Sequence, residues 1–138
     1  MQETPSVDLS VLVPVFNEID GIDNCHREIC AALRDSGYTF EIVFVDDGST
    51  DGSSERLRQI AHTDSRTTLV KLVHNVGQQR AMYAALEHCR GRVVITYDAD
   101  MQFHPECLSV LAAKVFEGYD IVSGIRVNRM DSLPSPLR

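Results

Sequence analysis

The sequence predicts an α/β fold, a mostly parallel sheet with helices on both faces, and two observations predict it. Short apolar runs alternate with segments of helical periodicity along the chain, the order that gives parallel pairing and right-handed crossovers. Acidic clusters, Asn17-Glu18, Asp46-Asp47 and Asp98-Ala99-Asp100, stand directly after three of those runs. In a parallel sheet all strands end along one edge, so the topology would gather the clusters where open α/β sheets bind ligands.

The elements follow in order. Leu9–Val13 reads as the first strand, ended by Pro14, which cannot donate to a ladder. From about Ile19 to Asp35, Ile22, Cys25 or His26, Ile29 and Leu33 recur at helical spacing until Ser36-Gly37 stops the pattern. Phe40–Val45 is a second strand, interrupted only by Glu41, and it breaks into Asp46-Asp47-Gly48-Ser49-Thr50-Asp51-Gly52, where glycines permit unusual backbone angles and oxygen side chains cap a helix over 53–62. Thr68–Leu72 is a third strand and leads through His74-Asn75-Val76-Gly77 to an alanine-rich helix over 78–89. Val93–Thr96 is a fourth. Pro105 suits the first turn of a helix reaching Glu117, with Leu108, Leu111, Ala112 and Val115 inward, and Asp120–Gly124 reads as a short fifth strand.

At 138 residues this is one domain, and its net charge of −7 argues against nucleic acid or an anionic membrane as the main partner. No window is apolar enough to span a bilayer and the N-terminus lacks a signal-peptide pattern, so a cytoplasmic location is expected. Cys25, Cys30, Cys89 and Cys107 form no C-x-x-C pair; each falls on a predicted helix and is expected to be a reduced packing residue rather than part of a zinc site. Of the five histidines, His104, close behind the acidic pair, is the one placed to add a ligand or touch a phosphate.

Asp98 and Asp100 would repel unless a cation lies between them. A divalent ion with hard oxygen ligands that also carries phosphates accounts for such a pair. Helix capping explains any single cluster but gives no reason for three to share one edge. A carboxylate can accept from ribose hydroxyls or a uracil imide while a metal bridges the other acids to a diphosphate, which describes a sugar nucleotide. A dinucleotide would need a Gly-rich turn after the first strand, and Pro14-Val15-Phe16-Asn17-Glu18 stands there instead.

Val13-Pro14-Val15-Phe16-Asn17-Glu18, Val45-Asp46-Asp47-Gly48-Ser49-Thr50-Asp51, Asn75-Val76-Gly77-Gln78 and Asp98-Ala99-Asp100-Met101-Gln102 resemble, in that order, the signature blocks of family 2 glycosyltransferases. The resemblance covers residues 8 to 131. It is strongest to the polyprenyl-phosphate branch, which includes dolichyl-phosphate mannose synthases and undecaprenyl-phosphate glucose or aminoarabinose transferases. Gly118–Val122 and Arg126–Asp131 look most like the aminoarabinose group.

That resemblance implies a GT-A, Rossmann-like nucleotide-diphospho-sugar transferase fold. It implies that Pro14, Phe16 and Glu18 line the nucleoside pocket and that Asp47 accepts from the base with Asp46 in support. Asp98 would contact the ribose or sugar, Asp100 and Gln102 would ligate Mg2+ or Mn2+, and Arg126 and Arg129 would face the acceptor phosphate or the donor diphosphate. Asp98 and Asp100 are thus the implied catalytic pair. Phe103-His104 departs from the small, polar or proline residues that relatives carry before the Pro-Glu pair.

The implied reaction is inverting transfer from a nucleotide-sugar, UDP-linked by branch likeness, to a polyprenyl phosphate. That acceptor is already an oxyanion, so no general base is named. Residues 1–7 are expected to form a flexible N-terminus, 8–124 the nucleotide-sugar-binding GT-A domain, and 125–138 an incomplete acceptor-side segment, the chain being truncated after the D-x-D half. Membrane contact, at the cytoplasmic face, would come through the missing C-terminal part, and apolar surface left uncovered suggests a homodimer. Alternatives are a polysaccharide or glycan transferase of the same family and a non-catalytic nucleotide-sugar-binding fragment. More distant ones are a phospho-receiver or HAD-like phosphotransfer domain, whose acid pair follows the first strand.

Overall fold

The computed structural model describes residues 7–124, so Arg126 and Arg129 lie outside the described residues. The order is β1 (Val7–Val15), α1 (Ile22–Leu33), β2 (Phe40–Asp46), α2 (Ser53–Thr63), β3 (Thr67–Lys71), α3 (Gln78–Leu86), β4 (Gly91–Thr96) and α4 (Cys107–Phe116). All pairings are parallel and the strand order is β3-β2-β1-β4. The chain therefore builds outward from β1 in one direction and then returns to its other side. Such a reversal opens a crevice at the strand ends.

Period-2 alternation divides the core between the faces. Leu9, Val11, Val13 and Val15 of β1, with Ile42 and Phe44 of β2, pack against α1, α2 and α4 through Ile22, Cys25, Ile29, Leu57 and Leu108. Leu12, Val43 and Val45 point the other way and meet Ala81 and Ala85 of α3, small residues that bring the helix close. The expected helices on both faces are present, three on one side and one on the other among the described residues.

Three expectations are corrected. Pro14 does not end β1, because it pairs in register with Val45. The Leu12 carbonyl points to β4, accepting from Tyr97 N–H at 3.0 Å, and Val15 points to β2, accepting from Asp47 N–H at 2.9 Å. Pro14 thus turns its donorless nitrogen toward β4, beyond the last paired residues on that side, Leu12 and Thr96, where no donor is required. Asp120–Gly124 is not a strand. Ile121, which fitted the strand period, is 88% exposed, and the segment lines a cavity beside β4 without joining its ladder. Cys89 lies beyond α3, in a turn where its N–H donates to the Leu86 carbonyl.

The polar interruption of β2 is a buried junction. Glu41 is 1% exposed; its Oε1 accepts from Ser10 Oγ at 2.7 Å and from Arg90 N–H at 2.6 Å, and its Oε2 from Arg90 Nε at 3.0 Å. Gly91 N–H donates to Ser10 Oγ at 2.8 Å, so one carboxylate ties β1, β2 and the start of β4 together. Among the described residues no helix is long and apolar enough to cross a membrane.

Candidate functional site

The turn after β1 is stitched to the loop after β2. Asn17 takes φ 51, a left-handed conformation that Asn tolerates better than most residues. Its Oδ1 accepts from Thr50 N–H at 2.8 Å while its own N–H donates to Ser49 Oγ at 2.9 Å. Glu18 N–H donates to Ser53 Oγ at 3.0 Å and Ile19 N–H to Asp51 Oδ2 at 3.1 Å. Burial opposes the charge on Asp51, but hydrogen bonds from Ser53 and Ile19 outweigh it and hold this carboxyl below its ordinary range. The Ser, Thr and Asp residues expected only as helix caps thus also hold the β1 turn.

Asp47, 3% exposed, anchors the loop after β3. Its Oδ1 accepts from Val76 N–H at 2.7 Å and its Oδ2 from Gly77 N–H at 3.0 Å, and Asn75 Nδ2 donates to the Asp47 carbonyl at 3.1 Å. Gly48 makes this approach possible: a Cβ there would stand 2.6 Å from Asn75 N and 2.8 Å from the His74 carbonyl carbon, and φ is +77.

The loop after β4 is braced by Tyr97, whose hydroxyl donates to the Phe103 carbonyl at 2.6 Å. Burial, first, and nearby negative groups push this phenol well above its ordinary value, so it stays a donor. Within the loop Met101 takes φ 61, Gln102 N–H donates to Asp100 Oδ1 at 3.2 Å, and Gln78 Nε2 of α3 donates to Asp98 Oδ1 at 3.3 Å.

These loops enclose an open cleft of about 310 Å³ at the strand ends. Pro14, Phe16, Glu18, Asp47, Asp98 and Asp100 all line it, six of the residues singled out from sequence. Asp46 does not: it is fully buried, with Oδ1 accepting from Ser49 N–H at 3.1 Å and Oδ2 without a hydrogen-bond partner. Gln102 is exposed and outside the lining, as is His104. Asn75, Gly77 and Gln78 also line the cleft. The Asn75-Val76-Gly77-Gln78 block carries the resemblance without an implied role for these residues, and its position after β3, on the same edge, is the signal that places them here.

Four carboxylates line the cleft and, among the described residues, no lysine or arginine does. Their field reaches the core below: Cys25 is pushed up to about 12, first by burial and then by Asp100 and Glu18. An anionic ligand would be repelled by this wall. Carboxylate and amide oxygens around an open space suit a hard divalent cation of the Mg2+ or Mn2+ type. A larger cavity, about 550 Å³, lies between β4, α4 and residues 120–124 and is mainly apolar, with Val93, Ile95, Leu108 and Leu111 in its walls.

The sequence profile described as glycosyl transferase family 2 matches residues 10–135. The chain belongs to that family. Its architecture is correspondingly of the GT-A type. It is 41% identical over 133 residues, 96% of its length, to an undecaprenyl-phosphate 4-deoxy-4-formamido-L-arabinose transferase of Pseudomonas fluorescens (strain SBW25), covering 39% of that protein. A protein of the same name from Klebsiella pneumoniae is 41% identical over 130 residues, with 94% and 40% covered. The chain thus spans about two fifths of the length of the curated relatives it matches.

Among solved structures, a mannosyltransferase from Pyrobaculum calidifontis in complex with GDP-Man and Mn2+ aligns with a TM-score of 0.58 and 32% identity over 70% of this chain and 29% of its own. Staphylococcus aureus TarS 1-349 in complex with UDP aligns with a TM-score of 0.61 and 27% identity over 80% and 32%.

Proposed function

We propose that this chain is the donor-binding part of an inverting glycosyltransferase that moves a sugar from a nucleotide-sugar, UDP-linked, to a polyprenyl phosphate at the cytoplasmic face of a membrane. The observation that carries the reading is the cleft at the reversal of strand order, walled by Glu18, Asp47, Asp98 and Asp100 with no cationic side chain among the described residues. The names of the relatives support the lipid acceptor, and the two neighbours complexed with UDP and with GDP-Man and Mn2+ support a metal-assisted nucleotide donor.

In this reading Pro14 and Phe16 flank the nucleobase, Phe16 offering a half-exposed ring. Asp47 accepts from the base: each of its oxygens holds one loop N–H and retains a second lone pair. Asp46 supports it from below. Asp98, already oriented by Gln78, faces the ribose or sugar, Glu18 completes the nucleoside side, and Asp100 with Gln102 holds Mg2+ or Mn2+. When bound, such an ion offsets the charge that develops on the departing nucleoside diphosphate. The phosphate acceptor needs orientation rather than deprotonation, and Arg126 and Arg129 are assigned to it or to the diphosphate. Residues 8–124 are assigned to the donor domain and 125–138 to the acceptor side. Self-association is proposed from exposed Val73, Tyr83 and Ile121; sedimentation as a monomer at high concentration would remove that part alone. Titration of UDP with and without Mn2+, followed by calorimetry, tests donor binding.

A further inference from the structure

On the face of the sheet carrying three helices, α1 runs from the acidic edge back to the opposite one. His26 and Cys30, one turn apart on α1, meet Asp64, the C-cap of α2, just before β3 starts. His26 Nε2 lies 2.8 Å from Asp64 Oδ2, Cys30 Sγ lies 3.7 Å from His26 Nε2 and 4.0 Å from Asp64 Oδ2. Among the described residues this is the set of three ligand-type groups whose atoms converge within 4.8 Å. It has no part in the cleft.

We propose that His26, Cys30 and Asp64 form a second metal site, for a zinc-class ion, that fastens α1 to the junction of α2 and β3. The three separations admit a single point about 2.0–2.1 Å from the nitrogen and the oxygen and about 2.3 Å from the sulfur, the bond lengths zinc makes to these atoms. That point lies slightly off the plane of the three atoms. The narrowest angle, between His26 and Asp64, opens with a modest rotation of the carboxyl. One thiolate, one imidazole and one carboxylate favour a borderline-soft ion over Mg2+. The groups are only partly buried, with the His26 side chain 21% and the Asp64 side chain 14% exposed, so water can fill a fourth position.

The surroundings orient these ligands. Arg66 N–H and Thr67 Oγ1 donate to Asp64 at 3.0 and 3.2 Å. The Arg66 guanidinium reaches Asp64 Oδ1 at 3.2 Å and Cys30 Sγ at 3.6 Å while lying over the Phe40 ring, and His26 tilts against Phe44. Arg66 is the cation an ion must share the site with, and Arg34 adds a weaker positive field at Cys30. Thiolate, carboxylate and dication sum to zero, which leaves Arg66 as an outer donor to the sulfur and the second carboxylate oxygen. Binding takes the Cys30 side chain as thiolate and the His26 ring as neutral imidazole, so it is accompanied by proton release.

Cobalt(II) titration of the full chain carrying Asp98→Asn and Asp100→Asn, which silences the cleft, tests the site. The expected result is one equivalent of bound Co2+ with visible d–d bands and a thiolate charge-transfer band, displaced by Zn2+ and lost in Cys30→Ser. No charge-transfer band, or one that survives Cys30→Ser, overturns the proposal. The unmutated chain gives a second readout: Zn2+ should slow alkylation of Cys30, mapped by mass spectrometry, by about tenfold or more. Equal modification with and without Zn2+ overturns it whether or not the variants fold.

Discussion

The hydroxyl of Tyr97 donates to the carbonyl oxygen of Phe103 at 2.6 Å, closing the loop that carries Asp98 and Asp100 onto the end of β4. Tyr97→Phe deletes that bond and keeps the ring packing. A net loss of about 1–1.5 kcal/mol is expected to weaken metal-dependent nucleotide binding about 5- to 10-fold if it falls on the loop. Calorimetry beside an unchanged far-UV spectrum checks it; unaltered affinity would place the brace outside the site's energetics.

Gly48→Ala puts a Cβ against the backbone of His74 and Asn75 at a residue of positive φ. Backbone cannot yield as a flexible side chain does, so a loss of roughly 2–4 kcal/mol in unfolding free energy is expected, with nucleotide binding abolished in whatever stays folded. Denaturant unfolding and ligand titration on the same sample measure both. The Asp47 clamp is the reason the two effects should come together.

Glu41→Leu leaves the Arg90 N–H and the Ser10 hydroxyl without their acceptor at the lower edge of the sheet. The expected cost is about 2–3 kcal/mol, since hydrogen bonds to a charged group are broken and a donor is stranded. Donor affinity should be unchanged, because the junction lies at the edge opposite the cleft. Urea denaturation separates this from a site effect.

Much of the fold was legible because the apolar periods switch cleanly between 2 and 3.6, and because Gly and Pro punctuate them. Pro14 and Asp120–Gly124 misled for one reason: strand membership depends on the neighbour. Pro14 faces a side where β4 has ended, and Ile121 has the right composition but no ladder. At the strand ends, acids directly after strands marked the edge, and Glu18, Asp47, Asp98 and Asp100 line the cleft there. Asp46 was not separable from Asp47 by type, and only the pleat decided which of the two buried acids lines the cleft. The His26, Cys30 and Asp64 cluster was invisible because Asp64 is 34 residues from Cys30 and reaches it only through the packing of α1 beside α2.

Asp64 gives a pH prediction. Burial opposes its charge, yet hydrogen bonds from Arg66 and His26 hold its carboxyl at about 2, below the ordinary 3.8. A depressed folded value means the stabilisation is complete above about pH 4 and is lost as pH falls through 2. In metal-free buffer, thermal melts from pH 5 to 2 should show the unmodified chain losing more stability than Asp64→Asn across that window. Parallel curves would contradict the assignment.

The central claim is that the acidic cleft holds a nucleotide through a divalent ion. Calorimetric titration of UDP into the chain with Mn2+, without it, and with Mn2+ in Asp100→Asn tests it most directly. Saturable heat with Mn2+ is predicted, at least about tenfold weaker when either the ion or the Asp100 carboxylate is removed. Binding of equal strength in all three titrations, or no heat in any, would contradict it.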